Sequence, residues 1–140
     1  MEEKIRADFN QIIDYCISQA EVLLKEQNGE FYPFGVCLDL SDKLIPVGVY
    51  EGDEFPDSNT VIDSLMVNFE KRLTDCKIRA FAITYDSRVT NEDFPQSMDA
   101  ITTIMAHIDS KSTYRVFYPY KMNGNTIEYF ESFGEEMRSI

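Results

Sequence analysis

Residues 78–86 read IRAFAITYD, and the reading of this stretch decides the fold. Side chains alternate sides along a strand. Ile78, Ala80, Ala82 and Thr84 fall on one side; Arg79, Phe81, Ile83 and Tyr85 fall on the other. A strand that is apolar on both faces is central in its sheet and covered, at least in part, on both. The first side is small, which suits a helix lying close against the sheet. Arg79 breaks the apolar pattern. Either it reaches solvent from the strand's start, or it meets an anion or carboxylate on the sheet face.

Upstream, residues 2–27 carry Ile5, Phe9, Ile12, Cys16, Ala20 and Leu23 at helical spacing, with Ile13, Ile17 and Leu24 widening the stripe. Acids at the start (Glu2, Glu3, Asp8) and Lys25 near the end suit the helix dipole, and Asn28-Gly29 is a stop signal. A stripe this wide packs on a sheet or forms a dimer seam. FYPFGVCLDL, SDK and LIPVGVY then read as a hairpin of strands 31–40 and 44–50. Pro33 and Pro46 mark it as an edge element. Gly35 and Gly48 lie where they could let another element approach. Residues 51–59 form an acidic loop without EF-hand spacing. A second helix is expected over 60–75, its apolar face Ile62, Leu65, Met66, Phe69, Leu73 and Cys76, with Thr60 and Asp63 as a capping box.

Downstream, 87–98 reads as a polar loop carrying Arg88. Three strands follow, at 99–109, 113–121 and 126–133, with Asn123-Gly124 as a hairpin signal and 134–140 as a frayed tail. The element order is α-β-β-α-β-β-β-β in a single domain, residues 1–140. The fold class is therefore α+β: one antiparallel sheet of about six strands, with two helices packed mainly on one face. Profilin-like and roadblock-type domains share this element order, as analogy only.

Composition narrows the partners. The chain has 140 residues and a net charge of −12, from 25 acids against 13 basic residues. That balance argues against nucleic acid and anionic membranes, whose binding needs cationic side chains, and it permits a basic protein partner. No run of about 18 apolar residues is present to span a membrane. MEEKIRADF lacks the apolar region of a signal peptide, so a cytoplasmic location is expected. Cys16, Cys37 and Cys76 are odd in number, fit no zinc spacing and lie in apolar stripes. They read as buried free thiols of a reducing compartment.

Chemistry is sparse. His107, the single histidine, lies mid-strand among apolar neighbours and reads as a satisfied sheet residue. No glycine-rich phosphate loop, nucleophile elbow or metal-binding helix motif is present. No catalytic residue, metal or cofactor is expected; Asp39 and Asp86, near strand ends, are the least poor acid-base candidates. Aromatic residues stand out instead. Tyr114, Tyr118 and Tyr120 share one parity and align with Tyr129 on the next strand. They form a candidate partner-binding surface, because tyrosine combines contact area with a polar tip. The alternative is that cross-strand aromatic pairs only stabilise the sheet. A second candidate site is a polar cluster of Arg79, Asp86 and Arg88 in a pocket.

Three stretches resemble a family of small bacterial cytosolic proteins with no established activity. They are Tyr32 or Phe31 with Pro33, Phe34 and Gly35; Arg79, Ala80, Ala82, Tyr85 and Asp86; and Pro119 with Tyr120. The resemblance covers about residues 31–121 and implies no catalytic residues. Small acidic proteins of this kind also look similar to immunity proteins that neutralise bacterial toxins. The expected function is thus non-catalytic binding of another protein, a basic one in the immunity case. The alternatives are a small-molecule binder or enzyme at Arg79, Asp86 and Arg88, and a homodimer whose surface serves only self-association.

Overall fold

The computed structural model describes residues 2–26, 31–48, 57–90 and 95–139. Its elements are α1 (Glu3–Glu26), β1 (Phe34–Asp39), β2 (Leu44–Val47), α2 (Ser58–Thr74), β3 (Ile78–Val89), β4 (Met98–His107), β5 (Ser112–Asn123), β6 (Thr126–Tyr129) and β7 (Phe133–Ser139). The fold is α+β: two helices and one open antiparallel sheet in the order β2-β1-β3-β4-β5, with β6 and β7 both on the far side of β5.

β3 is central, between β1 and β4. Ala80 and Ala82 receive α1, whose Ile5, Phe9, Ile12 and Cys16 pack over them with Val36, Leu38 and Met105. Phe81 and Ile83 receive Val61, Leu65 and Phe69 of α2, with Cys37, Ile104 and Ala106. The helices therefore lie on opposite faces, not mainly on one. The double apolar parity of β3 demands this, since one helix covers only one face. Gly35 sets the seat of α2: a Cβ there would lie 2.5 Å from the Phe69 ring, which instead stacks on Phe81 at 5.1 Å.

The alternation breaks at the start of β3. Leu38 pairs with Ala80, but Asp39 pairs with Ile78, so Arg79 is the extra residue of a β-bulge. The bulge exchanges two side chains. Ile78 joins the α2 side of the core. Arg79, expected beside Phe81, turns towards α1 instead.

The other boundaries differ where backbone chemistry intervenes. Asp57 caps α2, accepting from Thr60 N (3.1 Å) and Thr60 Oγ1 (2.8 Å), so the helix begins at Ser58 rather than at a Thr60–Asp63 box. At the other end Cys76 N donates to Leu73 O and Lys77 N to Arg72 O, a Schellman closure with Cys76 at φ +57°. Cys76 is consequently exposed, while Cys16 and Cys37 are buried as expected. β3 and β4 extend into the expected polar loop, pairing as far as Val89 with Met98. Residues 91–94, most of the acidic loop (51–56) and the end of the expected second strand (49–50) lie outside the described residues.

The expected tail is a strand. β6 pairs with Tyr120–Asn123 and β7 with Ser112–Phe117 along the same edge of β5. Between them Pro119 has no N–H to give the ladder, although its carbonyl accepts from Phe130 N at 2.9 Å. Residues 130–132 bulge opposite 118–119 and split one long strand into two. The β5–β6 turn centres on Gly124 (φ +64°) and Asn125, one position later than Asn123-Gly124, because the first central residue of a primed turn needs positive φ.

Candidate functional site

The most connected polar group lies under the first turns of α1. Asp8 falls between Ile5, Phe9 and Ile12, so helical periodicity buries it with them at 7% exposure. Its carboxylate accepts Arg79 Nε–H at 3.0 Å, Arg79 Nη2–H at 3.1 Å and His107 Nε2–H at 2.8 Å. The tautomer follows from the other ring nitrogen, since His107 Nδ1 accepts the Asp109 backbone N–H at 3.0 Å. Arg79 also donates to Asp39 O at 3.0 Å and pairs with Asp42 at 2.5 Å. The guanidinium beside Asp8 holds its carboxyl below the usual range, and Asp8 in turn raises the pKa of Arg79. Among the described residues no buried side-chain nitrogen or oxygen lacks a hydrogen-bond partner. The group joins α1, the β1–β2 turn, β3 and β4, and it leaves His107 no free nitrogen to act as a base.

The expected cluster of Arg79, Asp86 and Arg88 does not form. Arg79 sits in the bulge at one end of β3. Arg88 lies nine residues away, about 30 Å along an extended strand. It is exposed, against Ser97 and Asp99. Asp86 accepts from Tyr120 Oη at 3.0 Å. Asp39 closes the β1–β2 turn by accepting from Ser41 N and Lys43 N, at 2.8 and 2.9 Å. The residues read as one pocket are spread along a strand.

The tyrosines share a face, as their parity requires, but it is the face that α1 covers. Tyr120 is 2% exposed, and burial with its bond to Asp86 raises its pKa. Tyr114 is half-buried with its ring edge-on to Phe9, at 6.2 Å. Tyr118 is half-buried against the C-terminal half of α1. Only Tyr129, at 39%, is well exposed, and it donates to Glu21 of α1 at 2.5 Å. The four therefore do not make an open surface. A helix of 24 residues is about 36 Å long; its first half packs with Val36, Ala80, Ala82 and Met105 and its second half with Tyr118 and Tyr120. On the opposite face, Phe117 stacks on Phe133 at 5.0 Å, with Arg115 over Phe117 and bonded to Glu135 at 2.7 Å.

What α1 leaves open is its flank over β5 and β7. A groove of about 320 Å³ runs there, with Phe9, Met105, Tyr114 and Val116 as floor and wall. Gly134 pairs with Val116 and has no side chain to fill the space; Glu136 stands at the rim on the same face, while Glu135, of opposite parity, turns its carboxylate to Arg115 on the other face. Glu136 accepts from Ser112 Oγ at 2.6 Å and is exposed. A second groove of about 250 Å³ lies between Tyr15 and Gln19 of α1 and Phe34 and Pro46 of the hairpin. It borders Gly48, the last residue described before 57.

Among the described residues no set of three or more His, Cys, Asp or Glu is placed to hold a metal ion. No described helix is long and apolar enough to cross a membrane. No family model, curated protein or solved structure matches the chain.

The groove escaped sequence reading because Gly134 and Glu136 sit in the segment read as a tail. Asp8 left a legible signal: an acid inside a helical apolar stripe, in a chain with Arg79 at the start of its central strand and one histidine.

Proposed function

We propose that this chain is a non-catalytic binding domain for a basic protein. The observation that carries this reading is the groove between α1 and β7: an apolar floor, an acidic rim at Glu136, and a chain of net charge −12 around it. Apolar contact supplies affinity, and the acidic field speeds and orients the approach of a cationic partner. Neutralisation of a toxin with a basic active site is one concrete form of the activity. Free thiols at Cys16, Cys37 and Cys76 suit a cytoplasmic setting.

The test starts with affinity capture from the source lysate, followed by titration of the purified partner. Glu136→Lys is compared with Asp63→Lys, an exposed control on α2. A basic partner whose affinity falls at least tenfold with Glu136→Lys, and also with added salt, supports the reading. Equal binding by both variants, or partners that are not basic, overturns it.

A further inference from the structure

We infer that the groove's partner binds as an added strand: a short basic segment pairing with the outer edge of β7. This rests on the binding reading above and names its mode. Among the described residues β7 pairs with β5 alone, so its other edge offers backbone donors and acceptors. That edge borders the groove directly, through Gly134 and Glu136. A side chain of an added strand lies about 5 Å from its cross-strand neighbour. The residue opposite Gly134 would therefore project beside the empty position and over Val116 and Tyr114, which favours an apolar side chain there. The residue opposite Glu136 favours Lys or Arg on the groove's face, and the residue opposite Glu135 meets that acid, together with its partner Arg115, on the other face.

Glu136 argues against a second copy of this chain as the occupant. Antiparallel self-pairing over the full strand, Phe133–Ser139, is centred on Glu136 and sets Glu136 against Glu136. A basic segment meets attraction where a copy meets repulsion. Run antiparallel, the incoming segment reads basic, basic, apolar, apolar, opposite Glu136, Glu135, Gly134 and Phe133 in turn.

The probe is a synthetic peptide, acetyl-Thr-Lys-Lys-Val-Tyr-Thr-amide, with two comparison peptides. One replaces both lysines by glutamate. The other is N-methylated at every residue, which keeps charge and side chains but removes the backbone donors. Amide chemical shifts and hydrogen exchange of the full chain are the readout. The expected result is saturable shifts across residues 133–139, slowed exchange at alternate β7 amides, and at least tenfold weaker binding by both comparison peptides. Glu136→Lys, checked for an unchanged melting temperature, should also weaken binding tenfold. Undiminished binding of the N-methylated peptide overturns strand addition while leaving the groove as a partner site. Shifts confined to other elements, or none, overturn it too. A concentration-dependent dimer with protected β7 amides in the absence of peptide would show that a second copy takes the edge instead.

Discussion

Asp8 accepts both the Nε–H and the Nη2–H of Arg79, at 3.0 and 3.1 Å, across 71 positions of sequence. The contact exists because two local rules break at once: an acid occupies a helix's apolar stripe, and a bulge turns an arginine to meet it. Removing one partner of a buried pair costs about 3 kcal/mol, and here it leaves Arg79 with only the exposed Asp42 and the Asp39 carbonyl, and His107 Nε2 without its acceptor. Asp8→Ala should destabilise the chain by about that amount in urea unfolding. A loss under about 1 kcal/mol would mean that the pair is solvated and the helix is held by its apolar stripe alone.

The same pair sets a pH dependence. The folded-state pKa of Asp8 is lowered from its ordinary 3.8, first by the hydrogen bonds from Arg79 and then by those from His107, against an opposing effect of burial. A group whose folded pKa is depressed adds stability above its unfolded pKa and loses it as pH falls through the folded value. The stability gap between the native chain and Asp8→Asn should therefore be full above about pH 4 and shrink below it. Urea midpoints measured from neutral to acid pH check this. A gap constant across the range would remove Asp8 as its source.

Gly35 is a position where one methyl group matters. Its α2-facing side is filled by Phe69, and an added Cβ would meet ring atoms at 2.5 and 2.8 Å. Overpacking of this kind costs about 1–3 kcal/mol. Gly35→Ala should lower the melting temperature, and Phe69→Leu in the same chain should recover part of the loss. Additive losses from the two changes would show that the ring is not the obstacle.

Cys76 holds a left-handed conformation, φ +57°, at the end of α2, where glycine is the favoured residue. A side chain in that region costs about 1 kcal/mol. Cys76 is exposed and packs little, so Cys76→Gly should raise stability by about 1 kcal/mol in thermal or urea unfolding. Destabilisation would show that the thiol makes a contact worth more than the strain.

The legible parts of this protein were those governed by short-range periodicity. Alternation through Ala80–Tyr85 identified a central strand covered on both sides, and helical spacing identified both helices. The placement of those helices was misjudged, although the evidence was the double parity itself. The candidate sites fared less well for a specific reason. Arg79, Asp86 and Arg88 are near in sequence, but extended backbone separates what a loop would gather. Tyr114, Tyr118 and Tyr120 share a face, but parity does not say which face a helix will cover.

The sequence by itself determined an α+β chain with a central apolar strand and a strongly acidic net charge. These follow from composition and from intervals of two to four residues, which local geometry reads directly. Only the tertiary structure decided that Arg79 turns to Asp8, that α1 lies over the tyrosines and that β7 forms an edge beside an open groove. Each of these depends on register between distant strands. A single extra residue at the bulge exchanges the faces of two side chains, and no local pattern records it.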